Sequence, residues 1–432
     1  MKDRILLQDD AAPAMERQYP LVTIRLPVAL TFGALVGGLV LGMTAAGTGL
    51  PGWIEQVARL VGSLWLRALQ MTIIPLVAAL LVLGLAQMVA AARAGRVARV
   101  FLALVAGALV TSGTATMIAM PLLLEAFPIP PSASAFLAEV PEQTGEVPGI
   151  LDFLGGMIAP NIIAAAAETA MLPLTIFFAL FAIALTRLPA DQGERLLAFF
   201  HALANAMLVI IGWVLRAAPV GVLGLAFGVG LKSGGGAFAA LGHYILAVSA
   251  MGAIVLLLGY VVAGVLGGIP PWRFAAAVLP AQAVALSTQS SLASLPAMLD
   301  SASRLGLRAS TAEFVLPLAV AIFRATSPAM NLAVALYVAA LAGVEITPGV
   351  AIIGILVALV ISVGSVSLPG SISFVVSIGP IALAMGVPIE PLALLVAVEM
   401  LPDLMRTLAN VTMNVAVTSA VDRSSRRASG SS

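Results

Sequence analysis

The sequence predicts an all-α polytopic membrane protein with eight transmembrane helices and two re-entrant helical hairpins. Three observations carry that prediction. Of 432 residues, 61% are hydrophobic and only 9% are charged, whereas a soluble domain carries charge on about a quarter of its residues. Apolar runs such as 207–230, 245–268 and 352–363 with its continuation supply the roughly 20 residues that a helix needs to cross hydrocarbon. Two further apolar segments, about 273–300 and 348–384, are broken in the middle by Ser, Gly and Pro.

Composition also excludes whole classes of function. A formal net charge of +1 provides no basic surface for phosphate neutralisation, so no nucleic-acid partner is expected. The absence of cysteine removes disulfides, thiolate metal sites and thiol nucleophiles. His201 and His243 are the only histidines; each falls near an expected helix end and is read as structural or interfacial. No cofactor and no resident metal are expected.

Taken in order, residues 1–20 are polar and include Lys2, Arg4 and Arg17, with no cleavable site behind a short apolar core, so they are read as a cytoplasmic tail. Crossings are expected near 21–45, 60–91, 98–126, 150–187, 195–230, 238–268, 309–341 and 387–420. Orientation follows from loop charge. Arg93, Arg96 and Arg99 share one connection, while Glu139, Glu142 and Glu146 occupy the next, which has no basic residue. The positive-inside rule puts the first in the cytoplasm. Arg187 with Arg195, Arg273, Arg304 with Arg308, and Arg423 with Arg426 and Arg427 then fall on the same side. Both termini are therefore expected inside, in a plasma (inner) membrane. The Arg- and Ser-rich stretch 421–432 reads as a disordered tail.

The two interrupted segments are expected to enter the bilayer and return, the first broken at 287–296 and the second at 362–370. Broken backbone survives at membrane depth only where protein or a water-filled cavity covers it. Two such segments entering from opposite faces imply an inverted repeat with a site near the midplane. A pair of ordinary proline-kinked helices is the plainer alternative.

The last apolar segment carries Glu399, Asp403, Arg406, Asn410 and Asn414 at steps of four, three, four and four, with Thr407 beside them. That spacing draws one polar stripe along a helix. Arg can hold a carboxylate through two parallel hydrogen bonds, Asp can accept from an ammonium, and an Asn amide serves either partner. The set suits a zwitterion with an extra carboxylate. It equally suits an internal ion-pair ladder among Glu399, Asp403 and Arg406 that fixes packing.

Several stretches resemble the dicarboxylate/amino acid:cation symporters, a family that includes the glutamate transporters. They are LWLRALQMTIIPLV at 64–77, APN at 159–161 followed by MLPLTIFFALFAIAL at 171–185, and APVGV at 218–222. More specific are QSSLASLP at 289–296, SVGSVSLPG at 362–370 and DLMRTLANVTMN at 403–414. The resemblance implies a homotrimer working by an elevator mechanism. Segments 21–97 and 150–230 would form the scaffold, and 98–126 with 238–420 the moving transport domain. It further implies that Arg406 binds a substrate side-chain carboxylate, Asp403 its amino group, Asn410 and Thr407 other polar groups, and Ser290 and Ser291 the main-chain carboxylate. The second hairpin around Ser367, Pro369 and Gly370 would be the extracellular gate. Dicarboxylate carriers of the family usually lack an acid at the position of Asp403, so its presence favours aspartate or glutamate over succinate-like acids.

The sequence departs from the family at its cation motif. After Leu316-Pro317-Leu318, the usual Asn-Met-Asp-Gly-Thr reads Phe323-Arg324-Ala325-Thr326-Ser327, and the usual final Asp of the eighth segment is Asn414. A hard cation needs several oxygens and usually a negative charge, so the sodium site is expected to be degraded. Arg324 can serve instead as a fixed cation balancing Glu399 or Asp403, with Ser327, Ser362, Ser365 and Asn414 lining the same region. Coupling is then to protons, through Glu399 or Asp403, or absent. Three other classes are weighed against this reading: an intramembrane enzyme, which lacks cysteine or paired histidines, a passive channel and a non-transporting relative.

Overall fold

The computed structural model describes residues 27–46, 48, 51–93, 95–133, 158–233, 236–364 and 370–429. The acidic connection at 139–146 and the tail 1–20 lie outside these residues. Among the described residues the regular structure is helical. In order the helices are α1 (Val28–Ala45), α2 (Gly52–Gln70), α3 (Ile73–Ala92), α4 (Arg96–Ala126), α5 (Ile162–Ala167), α6 (Met171–Leu185), α7 (Ala190–Arg216), α8 (Ala218–Ser233) and α9 (Gly236–Val261). A π-helical turn, Val262–Leu266, ends α9. Then follow α10 (Pro271–Thr288), α11 (Leu295–Arg304), α12 (Ala309–Ile322), α13 (Thr326–Ala342), α14 (Pro348–Gly364), α15 (Gly370–Ala384), α16 (Leu392–Leu395) and α17 (Met400–Ser429). Among the described residues, five stretches are long and apolar enough to cross a bilayer: Gly52–Ala92, Arg96–Ala126, Ala190–Arg216, Gly236–Leu266 and Ala309–Ala342. The chain is a multi-pass membrane protein.

Small residues let α1 and α8 approach closely. A Cβ on Gly38 would stand 2.7 Å from Leu223 O, and one on Gly42 would meet the carbonyl of Phe227 and, at 2.9 Å, the Cα of Gly230. Backbone contact across small residues is how helices associate where lipid removes the hydrophobic drive. Trp65 of α2 packs against Gly221 of α8, where an added Cβ would meet its ring, and donates from Nε1 to Val214 O of α7 at 2.8 Å.

Both interrupted segments form helix pairs. In the first, α10 stops where Gln289 takes the left-handed conformation at φ 50°, and Pro296 opens α11, where its missing N–H costs nothing. In the second, α14 and α15 flank 365–369, which lie outside the described residues. A buried apolar cluster joins α4, the end of α9, α10, α11, α12 and α17. Helices α13, α14 and α15 pack mainly into a second cluster, with α3 and α6.

Several expectations need correction. The expected crossings 60–91, 150–187 and 195–230 each contain two helices, parted at Met71–Thr72, Glu168–Ala170 and Ala217. The segment 309–341 is two helices, parted at Phe323–Ala325. Pro328 supplies the reason: it has no N–H to bond the carbonyl of Arg324 and its ring clashes there, so no α-helix runs through that turn. The segment 387–420 is likewise divided, with turns at 396–399 between α16 and α17. Finally, 421–429, expected as part of a disordered tail, is helical, because α17 continues to Ser429, while 430–432 lie outside the described residues. Asp422 is buried and accepts from Arg308 Nε and Arg426 Nε, each at 2.7 Å, and from Thr311 Oγ1 at 3.0 Å. Arg426 Nη2 also donates to Gly306 O at 2.7 Å, and Arg423 Nη1 to Val265 O at 3.1 Å. Composition read this end as solvent-loving; its charges are instead spent on helix-to-helix contacts.

Candidate functional site

The break between α12 and α13 faces the start of α17, and the polar residues of both meet there. Phe323 is extended at φ −115° and ψ 118°, which ends α12. The first N–H groups of α13 need partners from elsewhere. Asn410 provides one, its Oδ1 accepting from Thr326 N–H at 3.0 Å. Ser327, one residue on, lies 2.9 Å from Ser362 Oγ of α14 and accepts from Asn331 Nδ2 at 3.1 Å. The second hairpin is thereby tied to the break through a hydroxyl pair.

Arg406 is the hub of the site. Its Nη2 donates to Glu399 Oε1 at 2.8 Å, its Nη1 to Asn331 Oδ1 at 3.0 Å, and its Nε lies 3.3 Å from Asp403 Oδ1. Thr407 Oγ1 donates to the backbone oxygen of Asp403 at 3.0 Å. All five residues are buried. The ion-pair ladder that the spacing allows is therefore present, although Glu399 belongs to the turns before α17 rather than to its helical stripe. At membrane depth such charges persist only when paired, and they mark functional sites.

Arg324 stands in the break itself, partly buried. Among the described residues its guanidinium has no hydrogen-bond or ion-pair partner, and the acidic group whose field reaches it is Asp403. Asn414, eleven residues beyond Asp403, is buried, and among the described residues neither Oδ1 nor Nδ2 has a hydrogen-bond partner. The break itself contributes no carboxylate to this donor set. Phe323 and Ala325 offer no side-chain oxygen, Asn414 brings no charge, and a guanidinium already supplies positive charge to the break.

Ser290 and Ser291 sit half-buried at the tip of the first hairpin. Ser290 Oγ accepts from Ala293 N–H at 3.2 Å, and its carbonyl accepts from Ser294 Oγ at 2.8 Å. Among the described residues neither serine hydrogen-bonds to Arg406, Asp403 or Asn410. The tip's link to α17 runs deeper, from Gln282 Nε2 to Thr412 Oγ1 at 2.9 Å. Ser365, Ser367 and Pro369 lie outside the described residues, and Gly370 opens α15.

Two contributors escaped sequence reasoning. Asn331 is an isolated amide in an apolar helix, and its i, i+4 spacing from Ser327 was the available signal. Tyr244 of α9 is fully buried, its hydroxyl without a hydrogen-bond partner among the described residues, and its ring meets Tyr337 edge-on at 5.3 Å. Tyr337 also approaches His243, whose Nδ1 lies 3.2 Å from its hydroxyl while Nε2 lies 2.9 Å from Phe127 O.

A family model described as the sodium:dicarboxylate symporter family matches residues 28–424. A proton/glutamate-aspartate symporter of Escherichia coli (strain K12) is 29% identical over 62% of this chain and 60% of its own length. A proton/sodium-glutamate symport protein of Bacillus subtilis (strain 168) is 26% identical over 90% of this chain and 89% of its own. A C4-dicarboxylate transport protein of Rhodopseudomonas palustris (strain HaA2) is 28% identical over 92% and 86%.

Proposed function

The chain belongs to the sodium:dicarboxylate symporter family, and from that premise we propose that it is a secondary active transporter of acidic amino acids, aspartate or glutamate, independent of sodium. It is not an enzyme. One observation carries the reading: Arg406, at bilayer depth beside a broken helix, holds Glu399, Asp403 and Asn331 at once. A guanidinium poised among acceptors binds a substrate carboxylate by exchanging one for another. Asp403, 8% exposed, takes the substrate amino group. Asn410, Thr407, Ser290 and Ser291 complete the polar lining, and the second hairpin near Ser367, Pro369 and Gly370 is the gate.

Arg324 is the resident cation where the family places a metal. Its guanidinium, without a hydrogen-bond or ion-pair partner among the described residues, the lack of side-chain oxygens at Phe323 and Ala325, and the neutral Asn414 all support that assignment. The transport domain is 98–126 with 238–420, moving as an elevator against a trimeric scaffold of 21–97 and 150–230, in a plasma membrane with both termini cytoplasmic. A C4-dicarboxylate is the second reading. It is favoured by the 3.3 Å contact of Asp403 with Arg406, which occupies the acceptor an ammonium would use.

The deciding experiment is uptake of labelled aspartate and of labelled succinate into proteoliposomes under inward sodium, inward proton and no gradient. Aspartate accumulation driven by protons and indifferent to sodium supports the proposal. Accumulation of succinate alone moves the substrate to the second reading, and a strict sodium requirement overturns the role of Arg324.

A further inference from the structure

Six arginines gather at one end of the molecule, where α9 and α11 finish, α10 and α12 begin, and α17 makes its last turns: Arg273, Arg304, Arg308, Arg423, Arg426 and Arg427. Backbone carbonyls draw them together. Arg426 Nη2 donates to Gly306 O at 2.7 Å, and Arg273 Nη2 lies 3.5 Å from the preceding carbonyl, that of Leu305, so two guanidiniums meet consecutive peptide units. Arg423 Nη1 donates to the carbonyls of Val265 and Leu266 at 3.1 and 3.3 Å. Cations are favoured on the last carbonyls of a helix, which accounts for their gathering but not for their number. Among the described residues, the acids at this end are Asp300, paired with Arg304 at 2.7 Å, Asp422, buried between Arg308 and Arg426, and Glu313 one turn into α12. Six arginines against three acids leave three positive charges over.

The surface beside this surplus is apolar. Phe274 is buried, edge-on to Tyr260 at 5.2 Å. Two residues earlier on the same helix is about 200° round its axis, so Trp272 faces outward and is 76% exposed. Leu279, seven residues further on, continues the face of Trp272 and is exposed as well, and so is Val265, whose carbonyl Arg423 holds. The stretch Gly236–Leu266 is long and apolar enough to cross the bilayer, so its end at Val265 marks the level where hydrocarbon gives way to headgroups. Tryptophan concentrates at that level. A free anion would use the arginines and leave Trp272, Val265 and Leu279 without a partner, whereas a phospholipid engages both surfaces.

We infer that this end of the protein binds an anionic phospholipid. Its phosphodiester sits among the guanidiniums around Arg273 and Arg427, its headgroup region meets Trp272, and an acyl chain lies along Val265 and Leu279. Basic surfaces where transmembrane helices end hold such headgroups by charge, with about a fivefold gain in affinity per arginine. The inference concerns a surface remote from Arg406 and stands whatever the transported substrate is.

The test is equilibrium binding of acyl-labelled phosphatidylglycerol and acyl-labelled phosphatidylcholine to the purified full-length protein in a neutral detergent. Wild type is expected to prefer phosphatidylglycerol by about 25-fold or more, and the preference should shrink as salt is raised. Arg273→Gln combined with Arg427→Gln should bring the two lipids close to parity. Arg187→Gln combined with Arg195→Gln removes the same charge from a different connection and should leave the preference within about twofold of wild type. Equal binding of the two lipids by wild type overturns the proposal with no variant needed. So does a preference that survives loss of Arg273 and Arg427, or one that falls as far when Arg187 and Arg195 are replaced, which would make it an effect of net charge alone. Full displacement of the labelled lipid by excess inorganic phosphate would show a free-anion site instead and overturn it too.

Discussion

Glu399 precedes Arg406 by seven residues, outside the helix that carries the arginine, yet its Oε1 accepts from Arg406 Nη2 at 2.8 Å. The turns at 396–399 fold the carboxylate back against the first two turns of α17. Because Asn331 and Asp403 occupy the remaining edges of the guanidinium, the planar fork of Arg is needed at this position.

Arg406→Lys should therefore weaken aspartate binding by roughly 30-fold or more, about 2 kcal/mol, since a single ammonium cannot reproduce three directed contacts. Equilibrium binding at fixed pH checks this. An affinity within about threefold of wild type would mean that the substrate does not rely on this fork.

Replacing Arg324 by Met leaves Asp403 without the second cation whose field reaches it. Aspartate uptake into proteoliposomes should be abolished. Unaltered uptake in Arg324→Met would sink the assignment of this residue as resident cation.

Exchanging sodium for choline should change aspartate affinity by less than about twofold, because the break offers a guanidinium where a hard cation needs oxygens and negative charge. A calorimetric titration in both salts reads this directly. Binding that disappears in choline would show that backbone and hydroxyl oxygens still build a cation site.

At the far end of α17, burial raises the Asp422 carboxyl, but hydrogen bonds from Arg308, Thr311 and Arg426 outweigh that and hold it below the ordinary carboxylate range. A carboxylate depressed in the folded state adds stability above its unfolded value and loses it as pH falls through the folded one. The clasp should thus hold at neutral pH and fail below about pH 4. Asp422→Asn should lower the melting temperature at pH 7 and narrow the difference from wild type under acid. The cost at neutral pH is about 1–2 kcal/mol, moderated because Arg426 and Arg308 are partly solvated.

Gly42→Val places a branched side chain against the backbone of Phe227 and Gly230. Overpacking of this kind costs about 1–3 kcal/mol, so thermal unfolding in detergent should shift down by several degrees. Gly33→Ala, where an added Cβ meets nothing within 4 Å, should leave the melting temperature unchanged.

Hydrophobic length, breaks at Ser, Gly and Pro, and the polar spacing from Asp403 to Asn414 made the membrane class and the hub legible in the sequence. Helical period alone puts Asp403, Arg406 and Asn410 on one face, and the cost of burying charge makes that face significant. The stretch 323–327 likewise shows in the sequence alone that Phe323, Arg324 and Ala325 bring no side-chain oxygen there. Sequence could not decide which partner each charge would take. That Asn331 and Glu399 close on Arg406, that Ser362 meets Ser327, that Asn414 has no hydrogen-bond partner among the described residues, and that 421–429 forms a clasp are outcomes of packing between helices distant in the chain. Local periodicity fixes the face a side chain occupies, but the neighbour it meets there is set by tertiary contact, where desolvation and geometry select among several chemically equivalent pairings.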